Sequence, residues 1–71
     1  ETALQGIVQF TRTLMEQGEE AVYRRLHSEI DRAVFRYVLD RVDGNQLQAA
    51  QVLGIARSTL RSRIEDLGLS I

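Results

Sequence analysis

The stretch "GNQLQAAQVLGIARSTLRSRIEDLG", residues 44–68, decides how this chain folds. It opens with Asn45, a good helix N-cap, and Gln48 three residues later completes a capping-box pattern. Ala49, Ala50 and Leu53 then share one helical face, which predicts a short helix over about 46–53. Gly54 follows where a left-handed C-terminal residue is needed. A second helix is predicted over about 57–67, with Leu60, Ile64 and Leu67 facing inward and Gly68 ending it. Two short helices meeting across "LGIAR" have helix-turn-helix spacing. Small Ala50 lets the second helix approach closely, and Ile55 and Leu60 close the core between them.

Charge is distributed unevenly around this pair. Residues 44–64 carry three arginines and no acid, whereas residues 1–43 carry six arginines against eight acids, and the whole chain stands at net −1. On a helical wheel Ser58 and Ser62 point outward, Arg57 and Arg61 flank one side, and Thr59 and Arg63 the other. Short polar groups in the centre with long bases at the edges suit a helix set in a DNA major groove, its N-terminal side chains reaching base edges and its flanking bases reaching phosphates. The charge order supports this. Arg57 opposes the helix dipole at a cost of a few tenths of a kcal/mol, about what contact with a polyanion would offset. Glu65 and Asp66 trail at the far end, spaced to pair with Arg61 and Ser62. Ordinary solvated charge is the plain alternative.

Upstream, the helix pattern continues. Over about 2–16, Leu4, Ile7, Val8, Thr11, Leu14 and Met15 recur at three- and four-residue spacing, with Phe10 off the stripe. Over about 19–42, Val22, Leu26, Ile30, Ala33 and Tyr37 form one stripe. Val34, Phe35, Val38, Leu39 and Val42 widen it until the second half is apolar on most sides. Such a helix must contact more than one neighbour: one face packs inside the domain and the other calls for a second copy of the chain. Leu4, Ile7, Val8 and Leu14 with Val22, Leu26, Ile30, Ala33 and Tyr37 are the expected dimer interface. At 71 residues the chain makes one domain, small enough to gain from a second subunit. We expect a single domain over 1–71, with dimerisation helices over 1–43 and the helix-turn-helix over 44–71.

Residues 44–68 resemble the Fis-type helix-turn-helix family, whose pattern runs G-N-Q, two residues, A-A, two residues, L-G-I, one residue, R, one residue, T-L-R, one residue, a base, an aliphatic, two residues, L-G. The family includes the Fis nucleoid protein and the C-termini of NtrC-like activators of sigma-54 promoters. "EIDRAVFRYVLDRV", residues 29–42, is similar to the family's preceding long helix, more loosely. The resemblance implies an all-α, four-helix domain that forms a two-fold dimer through its first two helices and binds and bends double-stranded DNA. By position, it implies a base contact for Arg57 and phosphate or groove-edge contacts for Thr59, Arg61 and Arg63. Asn45 and Gln46 would present the preceding helix to the backbone. Ala56 stands where asparagine is usual, Ser62 where lysine is common and Leu47 where a polar residue is common, which implies weaker or differently selective DNA binding.

These features favour the C-terminal domain of a sigma-54-dependent activator, joined to an upstream ATPase domain; starting at Glu1, the chain reads as a piece of something longer. The competing readings are a free-standing Fis-like nucleoid protein and a helical oligomerisation module that does not bind DNA. An enzyme is disfavoured. His27, the one histidine, has no metal-ligand or nucleophile spacing around it, and no phosphate loop is present. No cysteine offers thiolate chemistry. We expect no cofactor and no metal. With no membrane-spanning apolar run or signal peptide, we expect a cytoplasmic, nucleoid-associated protein with no membrane partner.

Overall fold

The computed structural model describes residues 2–69, in four helices: α1 (Ala3–Glu16), α2 (Val22–Arg41), α3 (Gln46–Leu53) and α4 (Arg57–Leu67). The all-α, four-helix expectation is met. The bounds of α3 and α4 agree with those read from the sequence because their end signals are local. Asn45 caps α3 through its side chain, which accepts from Gln48 N–H at 3.1 Å. Only half of the expected capping box forms. The Asn45 N–H donates to the Val42 carbonyl at 3.0 Å, so it has no need of the Gln48 side chain. A complete box appears instead at Thr2, where the Gln5 N–H donates to Oγ1 at 3.1 Å and the Thr2 N–H to Gln5 Oε1 at 2.6 Å.

Helix α2 starts later than expected, at Val22 rather than near Glu19. The chain leaves α1 through a C-terminal turn in which the Glu19 N–H returns to the Leu14 carbonyl at 3.0 Å. It then passes Ala21, a left-handed residue at φ 55° that no side chain caps. At its other end α2 ends at Arg41, and Asp43 just beyond is also left-handed at φ 53°, one residue before the glycine expected to break the helix. The Gly44 N–H then closes the turn onto the Leu39 carbonyl at 2.8 Å.

The main core lies between the C-terminal half of α2 and the two short helices. It contains Phe35 and Leu39 of α2, Ala49 and Ala50 of α3, Leu60, Ile64 and Leu67 of α4, and Leu69 beyond it, with Val38, Val42, Leu53 and Ile55 packed against them. Leu60 has no exposed surface, and burying such a side chain is worth about 1.5–3 kcal/mol. Helix α1 packs on α2 alone and leaves Leu4, Val8 and Met15 each more than three-fifths exposed. Leu14 does not share that exposure. At 3% it is covered by its own chain, and so offers little free surface to a second subunit. On α2, Val22, Leu26 and Ile30 are half-buried, and Ala33 and Tyr37 are exposed. The α1–α2 arm makes the molecule long, 39 × 26 × 19 Å. Its radius of gyration of 13.8 Å exceeds the roughly 11 Å of a compact chain of this length.

Candidate nucleic-acid interface

The turn between α3 and α4 is held by backbone bonds that the sequence pattern foreshadows. The Ala50 carbonyl accepts from both Gly54 N–H, at 2.9 Å, and Ile55 N–H, at 3.1 Å, while Gly54 sits at φ 73°. A side chain at Gly54 would meet no atom; the left-handed backbone alone demands glycine there. Ile55, the next residue, tucks against the core. Ala49 and Ala50 are 0% and 4% exposed, so the opposing surface lies flush on their methyl groups and larger side chains would overpack it. These contacts set the angle at which α4 leaves the turn.

Helix α4 presents the expected residues to solvent. Arg57, Ser58, Thr59, Arg61, Ser62 and Arg63 are all exposed, whereas Leu60, Ile64 and Leu67 are buried beneath them. Asn45 is exposed and Gln46 half-buried at the start of α3. The N-terminus of α4 has an extended N-cap, Ala56 at φ −67° and ψ 147°, with no side-chain acceptor and no acid in the first turn. Its leading N–H groups and the Arg57 guanidinium therefore make an electropositive end.

The two flanks of α4 differ. Arg63, with Asp66 and Leu67, lines a shallow cleft against the N-terminal half of α2, opposite Tyr23, His27 and Asp31. Arg57 and Arg61 stand on the other flank. The anticipated pairing of Arg61 with Glu65 is not formed. An ion pair does form one turn apart on α2, between Arg25 and Glu29, at 3.4 Å on its surface. Long side chains at exposed i,i+4 positions gain little from pairing against the entropy of holding them. His27 is engaged locally, with Nδ1 2.9 Å from the Tyr23 carbonyl and its ring 4.1 Å from the Tyr23 ring. Among the described residues no group of acids or histidine is arranged to hold a metal ion, and no helix is long and apolar enough to cross a membrane. A feature the periodicity did not signal is a shallow, mostly apolar groove where Tyr37, Val38 and Arg41 of α2, with Val42 just beyond it, meet Val52 of α3. Val52 lies off the buried face of α3, which is formed by Ala49 and Ala50.

Comparison with known proteins agrees with this geometry. The family model described as bacterial regulatory protein, Fis family, matches residues 28–67. The chain is 40% identical to the DNA-binding transcriptional regulator NtrC of Azospirillum brasilense over 50 residues, which are 70% of this chain and 10% of that protein. It is 33% identical to the DNA-binding protein Fis of Glaesserella parasuis serovar 5 (strain SH0165) over 69 residues, 97% of this chain and 70% of that protein. No solved structure matches significantly. With the family model spanning α3, most of α2 and all of α4, and with one relative matched along nearly its whole length, this chain belongs to the Fis family of bacterial regulatory proteins.

Proposed function

We propose that the chain is a dimeric, sequence-specific DNA-binding domain whose α4 enters the major groove. The observation that carries this reading is the exposed face of α4. Arg57, Ser58, Thr59, Arg61 and Ser62 lie open to solvent at the electropositive end of a helix whose opposite face is anchored by Leu60, Ile64 and Leu67. In this reading Arg57, in the first turn, reaches base edges. Thr59, Arg61 and Arg63 meet phosphate or the groove edge, and Asn45 and Gln46 bring the start of α3 to the backbone.

The dimer is supported by surface area. The single chain exposes 5383 Å², against about 4,500 Å² for a compact protein of its mass, an excess near the roughly 800 Å² each partner buries in a standard interface. Leu4 and Val8 on α1 and Tyr37 on α2 are the large exposed apolar residues from the expected interface. Residues 1–43 then serve dimerisation and residues 44–71 DNA reading.

The higher identity to NtrC favours a domain within a sigma-54-dependent activator, with an ATPase domain in the same chain; the chain spans 10% of that relative. The match along 97% of the chain to a Fis protein favours the second reading, a free-standing Fis-like protein. An ATPase domain in the same polypeptide would favour the first reading. Either form acts on DNA in the bacterial cytoplasm without catalysis by this domain.

The test is selection of duplexes from a random pool, followed by binding titrations at several salt concentrations and sedimentation of the free protein. A two-fold dimer should enrich inverted repeats with half-sites about 34–36 Å apart, and should sediment at twice the chain mass. No enrichment and no salt-dependent affinity would leave a helical oligomerisation module. A folded monomer would remove the two-fold arrangement.

A further inference from the structure

Glu65 lies on the same outward line of α4 as the polar residues at its reading end. Ser58, Ser62 and Glu65 stand at i, i+4 and i+7, and all three are exposed. Seven residues of helix put the carboxylate about 10 Å beyond Ser58 along the axis, close to the roughly 12 Å width of a major groove. Among the described residues Glu65 forms no ion pair, not even with Arg61 one turn away. The last turn of α4 holds no base, so this acid also opposes the helix dipole. It therefore weakens both the helix and any approach to a polyanion.

We propose that Glu65 is a specificity-determining residue that acts by repulsion, an inference that rests on the DNA-binding reading above. When α4 enters the groove by its N-terminal turn, Arg57 and Ser58 face the bases and Glu65 is held at the groove's rim. When the helix lies flush along the groove or against the backbone, the carboxylate is pressed onto the phosphates. Binding to arbitrary sequence rests essentially on phosphate attraction, and a flush arrangement brings the most basic side chains of α4 to the phosphates. Glu65 opposes that arrangement more than it opposes the tip-first arrangement that base contacts select, so discrimination arises by penalising the wrong complex. Asp66 carries the same charge one residue on and provides the internal control. It lies a hundred degrees further round the helix than Glu65, on the flank that lines the cleft against α2, beside Arg63 and opposite Asp31 and His27.

The experiment compares Glu65→Gln and Asp66→Asn with the unaltered protein. Each is titrated against a duplex selected from a random pool and a scrambled duplex of the same length, between low and physiological salt. One unit charge about 8 Å from phosphate in water changes affinity about twofold per half-site. Glu65→Gln is therefore expected to raise scrambled-DNA affinity about fourfold for a dimer at low salt. Selected-DNA affinity should rise less than twofold, and the difference should shrink as salt rises. Asp66→Asn should move both by less than twofold. Thermal melts of the free proteins check that neither change acts through folding. Equal gains on both duplexes, no gain on scrambled DNA, or an equal effect of Asp66→Asn would overturn the inference while leaving the DNA-binding reading intact. An unaltered protein with no salt-dependent DNA affinity would overturn both.

Discussion

Replacing Ala56 with serine should stabilise the domain. Ala56 has the extended backbone of an N-cap, φ −67° and ψ 147°, close to that of Thr2, which caps α1 at φ −86° and ψ 164°. What α4 lacks is the oxygen, since no side chain accepts from its first turn. A serine hydroxyl there could accept from the Thr59 N–H, as Asn45 Oδ1 accepts from Gln48 N–H three residues ahead of it. Such a cap is worth about 1 kcal/mol. A domain of this size holds about 4–10 kcal/mol in all, so the gain is a sizeable fraction and should raise the thermal midpoint by about 4–8 °C. Asn45→Ala should lower it by a similar amount, because it removes a cap that is present. The assay is circular dichroism melting of all three proteins at one fixed concentration, since dimerisation makes the midpoint concentration-dependent. If Asn45→Ala destabilises while Ala56→Ser leaves the midpoint within about a degree of the parent, the capping argument for α4 fails. In that case its first-turn N–H groups are already satisfied, and the uncapped end is not a feature of the folded protein.

Three further outcomes are expected. Arg57→Ala should cost about 1–3 kcal/mol on a selected duplex and flatten discrimination between sequences, because the first turn of α4 reaches base edges; equal loss on selected and scrambled DNA would move Arg57 to the backbone. Arg63→Ala should weaken both DNAs alike and reduce the slope of log K against log[salt] by about one for each lost contact; an unchanged slope would assign its side chain to the α2 cleft alone. Ala21→Gly should stabilise the fold by about 0.5–1 kcal/mol, since relief of a left-handed alanine outweighs the added freedom of the unfolded chain; a lower melting midpoint would show that the turn before α2 does not hold Ala21 in that conformation in solution.

The helix-turn-helix was legible from residues 44–68 because each of its signals acts within one turn of chain. Asn45 finds its partner three residues away, Gly54 needs no neighbour to favour a left-handed backbone, and the spacing of Leu60, Ile64 and Leu67 places them on one side of any helix. The exposed arginines followed from the same periodicity. The start of α2 was not legible. Alanine is the best helix former, so nothing local announces that Ala21 lies outside the helix at φ 55°; the return of the chain against α1 imposes it. Nor could the sequence choose which side of α2 is covered. Apolar residues occupy most of its second half, and a neighbour could take either side. Packing against α3 and α4 buries Phe35 and Leu39 and leaves Val34 and Tyr37 outside. The flank of α4 that turns toward α2, carrying Arg63 and Asp66, was decided in the same way. Local hydrogen bonds and periodicity determine the helices and their faces, whereas the order in which those faces meet depends on contacts between residues far apart in the chain, which no single segment encodes.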